Sequence, residues 1–289
     1  MTNDSSFPSS GGSAASNVVE QARDYYDSGD ADNFYFHVWG GEDIHVGLYA
    51  SEDDAIVDAS RRTVERMAQR LAHLPKGARV LDIGAGYGGA ARFLAREKGF
   101  HVTCLNLSTV QNERNRRFTA EQGLSDLINV VDGSFEDLPF EGASFDVVWS
   151  QDAILHSGRR DRVFAEVDRV LKPGGDFVFT DPMQAEVVDP EVLAPVLARI
   201  NLPSVGSFAT YRRYAADLGW AERDIDNLSH QLPRHYARVK AVLEAREEAL
   251  REVCTEDYRE RMKAGLDKWV QAGRQGALAW GILHFAKSA

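Results

Sequence analysis

Apolar and polar positions alternate along this chain with two periods, and the switch between them marks most of its elements. Short apolar runs near 79–83, 101–105, 128–131, 145–149 and 176–180 read as strands buried on both faces. Between them, apolar residues recur at helical spacing near 88–98, 109–122 and 159–171. Such alternation predicts an α/β fold with a parallel sheet covered on both sides. Lys172-Pro173-Gly174-Gly175 reads as a turn feeding the fifth strand, since proline ends the preceding helix and glycine permits the reversal. Beyond Asp181-Pro182 the pattern predicts a mainly helical insertion to about 207, a helix near 208–218 and a strand near 221–228. A long charged helical stretch from 233 to 272 follows, and an apolar strand over 278–286 closes the chain. No internal repeat is present.

Composition narrows the function classes. The chain has 289 residues, 44% of them hydrophobic, enough for a large core in one elaborated domain or a domain plus a cap. Its formal net charge of −11 argues against a nucleic-acid surface, which needs clustered Lys and Arg. The first sixteen residues, rich in Ser, Gly and Asn, form a polar tail expected to be disordered, without the apolar core of a signal peptide. No apolar run approaches the ~20 residues that span a membrane. Cys104 and Cys254 stand outside any C-x-x-C or metal-ligand spacing, so the expectation is a reduced, cytoplasmic protein that binds no metal, as monomer or homodimer.

The chemistry starts at Val80-Leu81-Asp82-Ile83-Gly84-Ala85-Gly86-Tyr87-Gly88-Gly89. Here an apolar strand runs into glycines and then into a helical pattern. Glycines let a turn take unusual dihedrals and let backbone approach a ligand, the arrangement that cradles a nucleotide at the crevice of a doubly wound sheet. Gly84, Gly86 and Gly89 also satisfy G-x-G-x-x-G, so the turn alone leaves a dinucleotide, another nucleotide-like ligand or no ligand open.

Further motifs select among these. Leu81-Asp82-Ile83-Gly84-Ala85-Gly86, Leu138-Pro139-Phe140 before Phe145-Asp146-Val147-Val148, and Leu171-Lys172-Pro173-Gly174-Gly175 resemble the class I S-adenosylmethionine-dependent methyltransferases over roughly residues 76–181. The resemblance implies a Rossmann-like, doubly wound, seven-stranded sheet. A helical lid over 17–75 precedes a methyltransferase domain over 76–289, which carries helical insertions near 182–207 and 233–272. A finer likeness lies in Tyr25-Tyr26-Asp27, in the run from Asn33 to Tyr49, and in Trp149-Ser150-Gln151-Asp152-Ala153-Ile154-Leu155-His156. Together with Phe179-Thr180-Asp181-Pro182, these are similar to the sarcosine/dimethylglycine N-methyltransferases, which make glycine betaine. The Asp152–His156 pattern is shared with phosphoethanolamine methyltransferases, whose histidine pairs with a lid tyrosine near the acceptor.

By this resemblance the cofactor is S-adenosylmethionine and the partner a small amino-acid amine. Tyr35, Trp39, Ile44, His45, Gly84, Ala85, Gly86, Asn106, Leu107, Gln111, Gly133, Ser134, Phe135 and Gln151 would face the cofactor. His156 and Tyr26 would form the catalytic pair, with Tyr25, Tyr26, Asp152, Tyr211 and Arg212 toward the acceptor. The sequence departs from the family at two points. Asn106 stands where an acidic residue usually accepts from both ribose hydroxyls, and Ser134 where an Asp commonly faces the adenine amino group.

The residue types fit methyl transfer. In-line displacement at a sulfonium needs no metal and no protein nucleophile, only a nitrogen lone pair held opposite the sulfur–methyl bond. The acceptor ammonium titrates near ~10, so a proton must leave, and His156 reads as relay, positioning group or structural residue. Tyr25, Tyr26, Phe34, Tyr35, Phe36, Trp39 and Tyr49 supply aromatic faces for a quaternary ammonium, or simply pack the lid. Tyr211-Arg212-Arg213-Tyr214 and Arg234-His235-Tyr236 are candidates for the acceptor carboxylate. Methylation of a phosphobase or specialised-metabolite amine, cofactor binding without turnover, and a nicotinamide oxidoreductase stand as rival readings.

Overall fold

The computed structural model describes Arg23, Asp27, residues 29–200 and residues 202–289. The polar tail over 1–16, Tyr25 and Tyr26 lie outside the described residues.

The five apolar runs become the parallel strands of one sheet: β1 Arg79–Ile83, β2 His101–Asn106, β3 Ile128–Asp132, β4 Phe145–Gln151 and β5 Leu171–Thr180. Two late strands, β6 Ala221–Asn227 and β7 Gly281–Ala286, complete a seven-stranded sheet in the order β3-β2-β1-β4-β5-β7-β6. Leu81 of β1 lies between Thr103 of β2 and Val148 of β4, so strand order reverses at β1. β7 runs antiparallel between β5 and β6, with Leu283 opposite both Phe179 and Ile225.

Helices cover both faces. Lid helix α1 Gly29–Phe34 runs into a wider π-helical turn at Tyr35–Gly40, and α2 Ile56–Gln69 follows. α3 Gly89–Phe93, α4 Thr109–Glu121 and α5 Arg160–Val170 connect the parallel strands, and α6 Pro190–Arg199 and α7 Phe208–Asp217 follow β5. α8 Gln231–Ala245 and α9 Glu256–Arg274 precede the last strand. Local chemistry sets several starts. Ser108 Oγ accepts from Gln111 N at α4, Asp189 caps α6 with Pro190 in its first turn, and Ser207 Oγ accepts from Thr210 N at α7.

Five expectations are corrected. Lys172-Pro173-Gly174-Gly175 lies inside β5, whose pairing with β4 jumps from Phe145–Leu171 to Val147–Asp176 around a positive-φ Gly174. Proline and glycine there make a bulge, because Leu171 keeps its partner before the break. The insertion after Pro182 is helical only over α6. It opens with Met183–Gln184, which pairs antiparallel with Leu278–Ala279. The closing apolar run is therefore two strands parted at Trp280. The stretch from 233 to 272 divides at 246–255, and the lid is non-helical over 41–55 after Gly41, whose φ is 81°.

Three apolar cores result. One packs Leu81, Ile83, Phe177 and Phe179 under α5 and α7, and a second packs Val80, Val102, Trp149 and Val178 under α2 and α3. The third lies off the sheet. Phe34, Val38 and Trp39 of the lid meet Leu232, Tyr236 and Val239 of α8, Leu266 and Trp269 of α9, and Leu193 and Val196 of α6. Burying each large side chain contributes about 1.5–3 kcal/mol, so lid and helical tail form one cap.

Candidate active site

Strand order reverses between β1 and β4, and the crevice opens at the carboxyl ends of these strands. Gly84 follows β1 with φ 76°, and its N–H donates to Leu105 O at 2.8 Å. A Cβ there would sit 2.3 Å from Ala153 Cβ, and one at Gly89 would sit 2.1 Å from Asp43 Oδ1. The glycines are thus demanded by the chain's own packing as well as by any ligand. Gly84→Ala combines left-handed strain with overpacking and is expected to cost about 2–5 kcal/mol of stability, measured by denaturant unfolding.

The turn faces a cleft of about 300 Å³. Glu42, Asp43, Ile44 and His45 close it from the lid, Asp82, Gly84 and Ala85 form its floor, Gly89 and Ala90 lie at the start of α3, and Gln151 ends β4. Gly86 adjoins it, since a Cβ there would lie 3.2 Å from Ile44 Cδ1. Next along the strand ends, Gly133 N donates to Asn106 O at 3.1 Å, bringing those two positions together beside half-buried Leu107. Asn106 Nδ2 donates to Gln111 Oε1 at 2.9 Å, which leaves Asn106 Oδ1 as an acceptor. Ser134 Oγ accepts from Glu136 N, and Phe135 is buried beside it.

These walls fit S-adenosylmethionine on a feature of the chain itself. His45 Nε2, Gln111 Nε2, Asn112 Oδ1 and Gln151 Nε2 are buried and without hydrogen-bond partners among the described residues. Those of His45 and Gln151 line the cleft itself and those of Gln111 and Asn112 lie beside Asn106 at the neighbouring strand end, a set that calls for a polar ligand. Tyr35 and Trp39, by contrast, pack into the cap core with their rings 5.2 Å apart and do not line this cleft.

Asp82 was not singled out from the sequence as a site residue. It is 3% exposed, and burial, followed by the charge of Asp43, pushes its carboxyl up to about 8. Its signal was available: one carboxylate inside an otherwise apolar strand. Asp43 carried no local signal, and its carboxylate lies 3.0 Å from the Arg61 guanidinium.

At the end of the neighbouring strand, Asp152 adopts φ 51° directly after β4. Its Oδ2 accepts from Val46 N at 2.6 Å and its Oδ1 from Trp280 Nε1 at 2.8 Å, tying the lid to the end of the chain. Burial raises its carboxyl above the ordinary range. His156 ends the 3-10 turn Ile154–His156. It is half-buried, with enough protein around the ring that burial lowers it to about 4. Tyr211 is buried and donates to Asp181, whose carboxyl burial pushes up to about 8. Arg212, one position on, does not join it. Consecutive helical residues point about 100° apart, and Arg212 reaches out to Glu222 at 2.8 Å. Phe36 also departs from the other lid aromatics, stacking on Phe118 at 6.1 Å.

Of the other basic run, Arg234 is exposed and His235 buried. His235 Nδ1 receives Gly47 N–H at 3.3 Å and lies 2.9 Å from Tyr49 Oη. Burial, then the charge of His45, lowers its ring to about 3.

Comparison with known proteins gives a consistent picture. A family model described as a methyltransferase domain matches residues 81–179. A sarcosine/dimethylglycine N-methyltransferase of Aphanothece halophytica is 57% identical over 270 residues, covering 93% of this chain and 98% of the relative. One from Halorhodospira halochloris is 52% identical over 270 residues, covering 93% and 97%. A crystal structure from Galdieria sulphuraria, assigned as a sarcosine dimethylglycine methyltransferase, superposes with TM-score 0.87 at 46% identity, covering 91% of this chain and 99% of that one.

Proposed function

The chain belongs to the sarcosine/dimethylglycine N-methyltransferases, and we propose that it methylates sarcosine and N,N-dimethylglycine with S-adenosylmethionine at the cleft beneath its lid, giving glycine betaine. The observation that carries this reading is the crevice between the Gly84 turn and lid residues 42–45, walled by buried polar atoms that lack partners. When bound, S-adenosylmethionine supplies a methyl group on a positively charged sulfur, open to in-line attack by an amine nitrogen.

The chain's own residues do the rest by placement. Asn106 and Gly133 mark the ribose end and Ser134-Phe135 the adenine end, while Asp82 and Gln151 face the amino-acid end. Ile44 and His45 close the cleft from the lid, which excludes water from the reacting methyl. Asp152 keeps that lid in register through Val46, and His156 holds the acceptor nitrogen as a neutral ring. Glycine betaine is a compatible solute, so the reading extends to osmoprotection, which suits the acidic composition.

Mass-spectrometric product analysis tests this, with S-adenosylmethionine and glycine, sarcosine, dimethylglycine or phosphoethanolamine in parallel. Betaine from dimethylglycine is the expected result. Methylation of phosphoethanolamine alone would keep the cofactor and replace the acceptor.

A further inference from the structure

A carboxylate-bearing acceptor needs hydrogen-bond donors, and neither basic run named from the sequence brings an arginine into the site. The seam between lid and helical tail holds donors without acceptors. Trp269 of α9 is 1% exposed and its Nε1–H has no partner. Trp39 of the lid, 5% exposed, has the same unpartnered Nε1–H. His235 is fully buried. Gly47 N–H can only donate, so Nδ1 must accept and the ring proton sits on Nε2, which is also unpartnered. The three groups are linked by ring contacts. Trp39 lies 5.0 Å from His235 and 5.9 Å from Tyr236, and Tyr236 lies 4.7 Å from Trp269.

Arg199, at the end of α6, adds the charge. Its guanidinium carbon stands 5.9 Å from the Trp269 ring centre, and Nη2 reaches Met262 Sδ at 3.8 Å. Among the described residues no carboxylate pairs with it. α9 makes room for it: a Cβ at Gly265 would fall 2.4 Å from Arg199 Nε. A cation serving only the C-terminal dipole of α6 would need neither that notch nor a buried indole ring beneath it.

Burying a donor without a partner costs about 1–3 kcal/mol, so several on connected rings beside an unpaired guanidinium mark a place shaped for an anion. We infer that this seam is the acceptor's carboxylate site, with Arg199 and the Trp269 indole N–H receiving the carboxylate and the Trp39 and His235 donors beside them in the cap. The inference rests on the amino-acid acceptor proposed above. It assigns substrate selection to α6 and α9, elements remote in sequence from the glycine turn.

Calorimetric titration of dimethylglycine into protein loaded with S-adenosylhomocysteine tests it, alongside the acceptor's KM and kcat. Charge-assisted hydrogen bonds imply that Arg199→Gln weakens dimethylglycine binding by about 10- to 100-fold, with a parallel rise in KM and little change in kcat. Trp269→Phe, which keeps the ring and removes the N–H, is expected to lose several-fold, and Arg199→Lys to fall between wild type and Arg199→Gln. Affinity for S-adenosylhomocysteine should stay unchanged in all three. Should Arg199→Gln lose its fold, the other two variants carry the same comparison. Wild type that binds dimethylglycine, with equal affinity in the folded variants, overturns the site alone. Wild type that neither binds nor methylates dimethylglycine overturns the proposed function and the site with it.

Discussion

Asp82→Asn is expected to flatten the pH dependence of cofactor affinity and to weaken binding at pH 8.5 by roughly 30- to 100-fold, the scale of a lost hydrogen bond to a charged group. The reason lies in where β1 places this carboxyl. Burial, with the charge of Asp43 added, lifts it from 3.8 to about 8, so the cofactor-free chain carries a proton there at neutral pH. S-adenosylmethionine brings a sulfonium and an ammonium, and a bound cation favours the ionised carboxyl. Binding should therefore expel the proton. Wild-type affinity should rise by up to about tenfold per pH unit toward pH 8 and level off above it. Calorimetry in two buffers of different ionisation enthalpy counts the released proton directly. A wild-type affinity that is flat between pH 6 and 8 would sink the idea.

The same groups set the stability of the cofactor-free chain. Asp82 and Asp181 bind more protons folded than unfolded from 3.8 up to about 8, so each loses stability as pH rises through that window. His156 and His235 act oppositely, but only below 6.5, where the unfolded rings take up protons that the folded rings refuse. Between 6.5 and 8 the two carboxyls are unopposed by these histidines. Melting at pH 8 should fall below melting at pH 6.5, and cofactor should narrow the gap.

The parallel sheet was legible because fully buried strands are written as continuous apolar runs, which local reading detects. The fifth strand was misread at its start because Lys172-Pro173-Gly174-Gly175 has turn composition, while the pairing of Leu171 with Phe145 is decided by a neighbouring strand. Around the crevice, the places of Gly84, Asn106 and Gly133 at strand ends were legible, since position there follows from the strand-to-helix turn. Arg212 was not, because an Arg-rich helical run reads alike whichever face meets the core. His235 was named only as part of a basic run, and the lid contact that buries it, like the seam proposed at Arg199 and Trp269, was obscured by distance. Gly47 and His235 lie 188 positions apart, and nothing local in α8 or α9 distinguishes a helix that packs on the lid from a solvated one.

His156→Ala should lower kcat by about 100-fold, at the lower end of what a positioned acid–base group contributes, while leaving the shape of the pH–rate profile intact. Burial lowers this imidazole to about 4, so it is neutral throughout the range in which an amine acceptor reacts. An acceptor ammonium near ~10 would have to give its proton to a group about six units more acidic, uphill by roughly 8 kcal/mol. The half-buried ring is therefore a poor final proton acceptor and a good neutral hydrogen-bonding group. In that role it would accept from the N–H that the free amine of sarcosine retains and so orient the lone pair, and orientation can account for the whole effect. At saturating cofactor, kcat/KM for sarcosine should climb through pH 7 to 9 as the free-amine fraction grows, with no break near 6.5. His156→Gln, which keeps an acceptor of similar reach, should recover part of the loss. A break between pH 6 and 7 that disappears in His156→Ala would show the ring taking up the proton itself, and would return it to the role of general base.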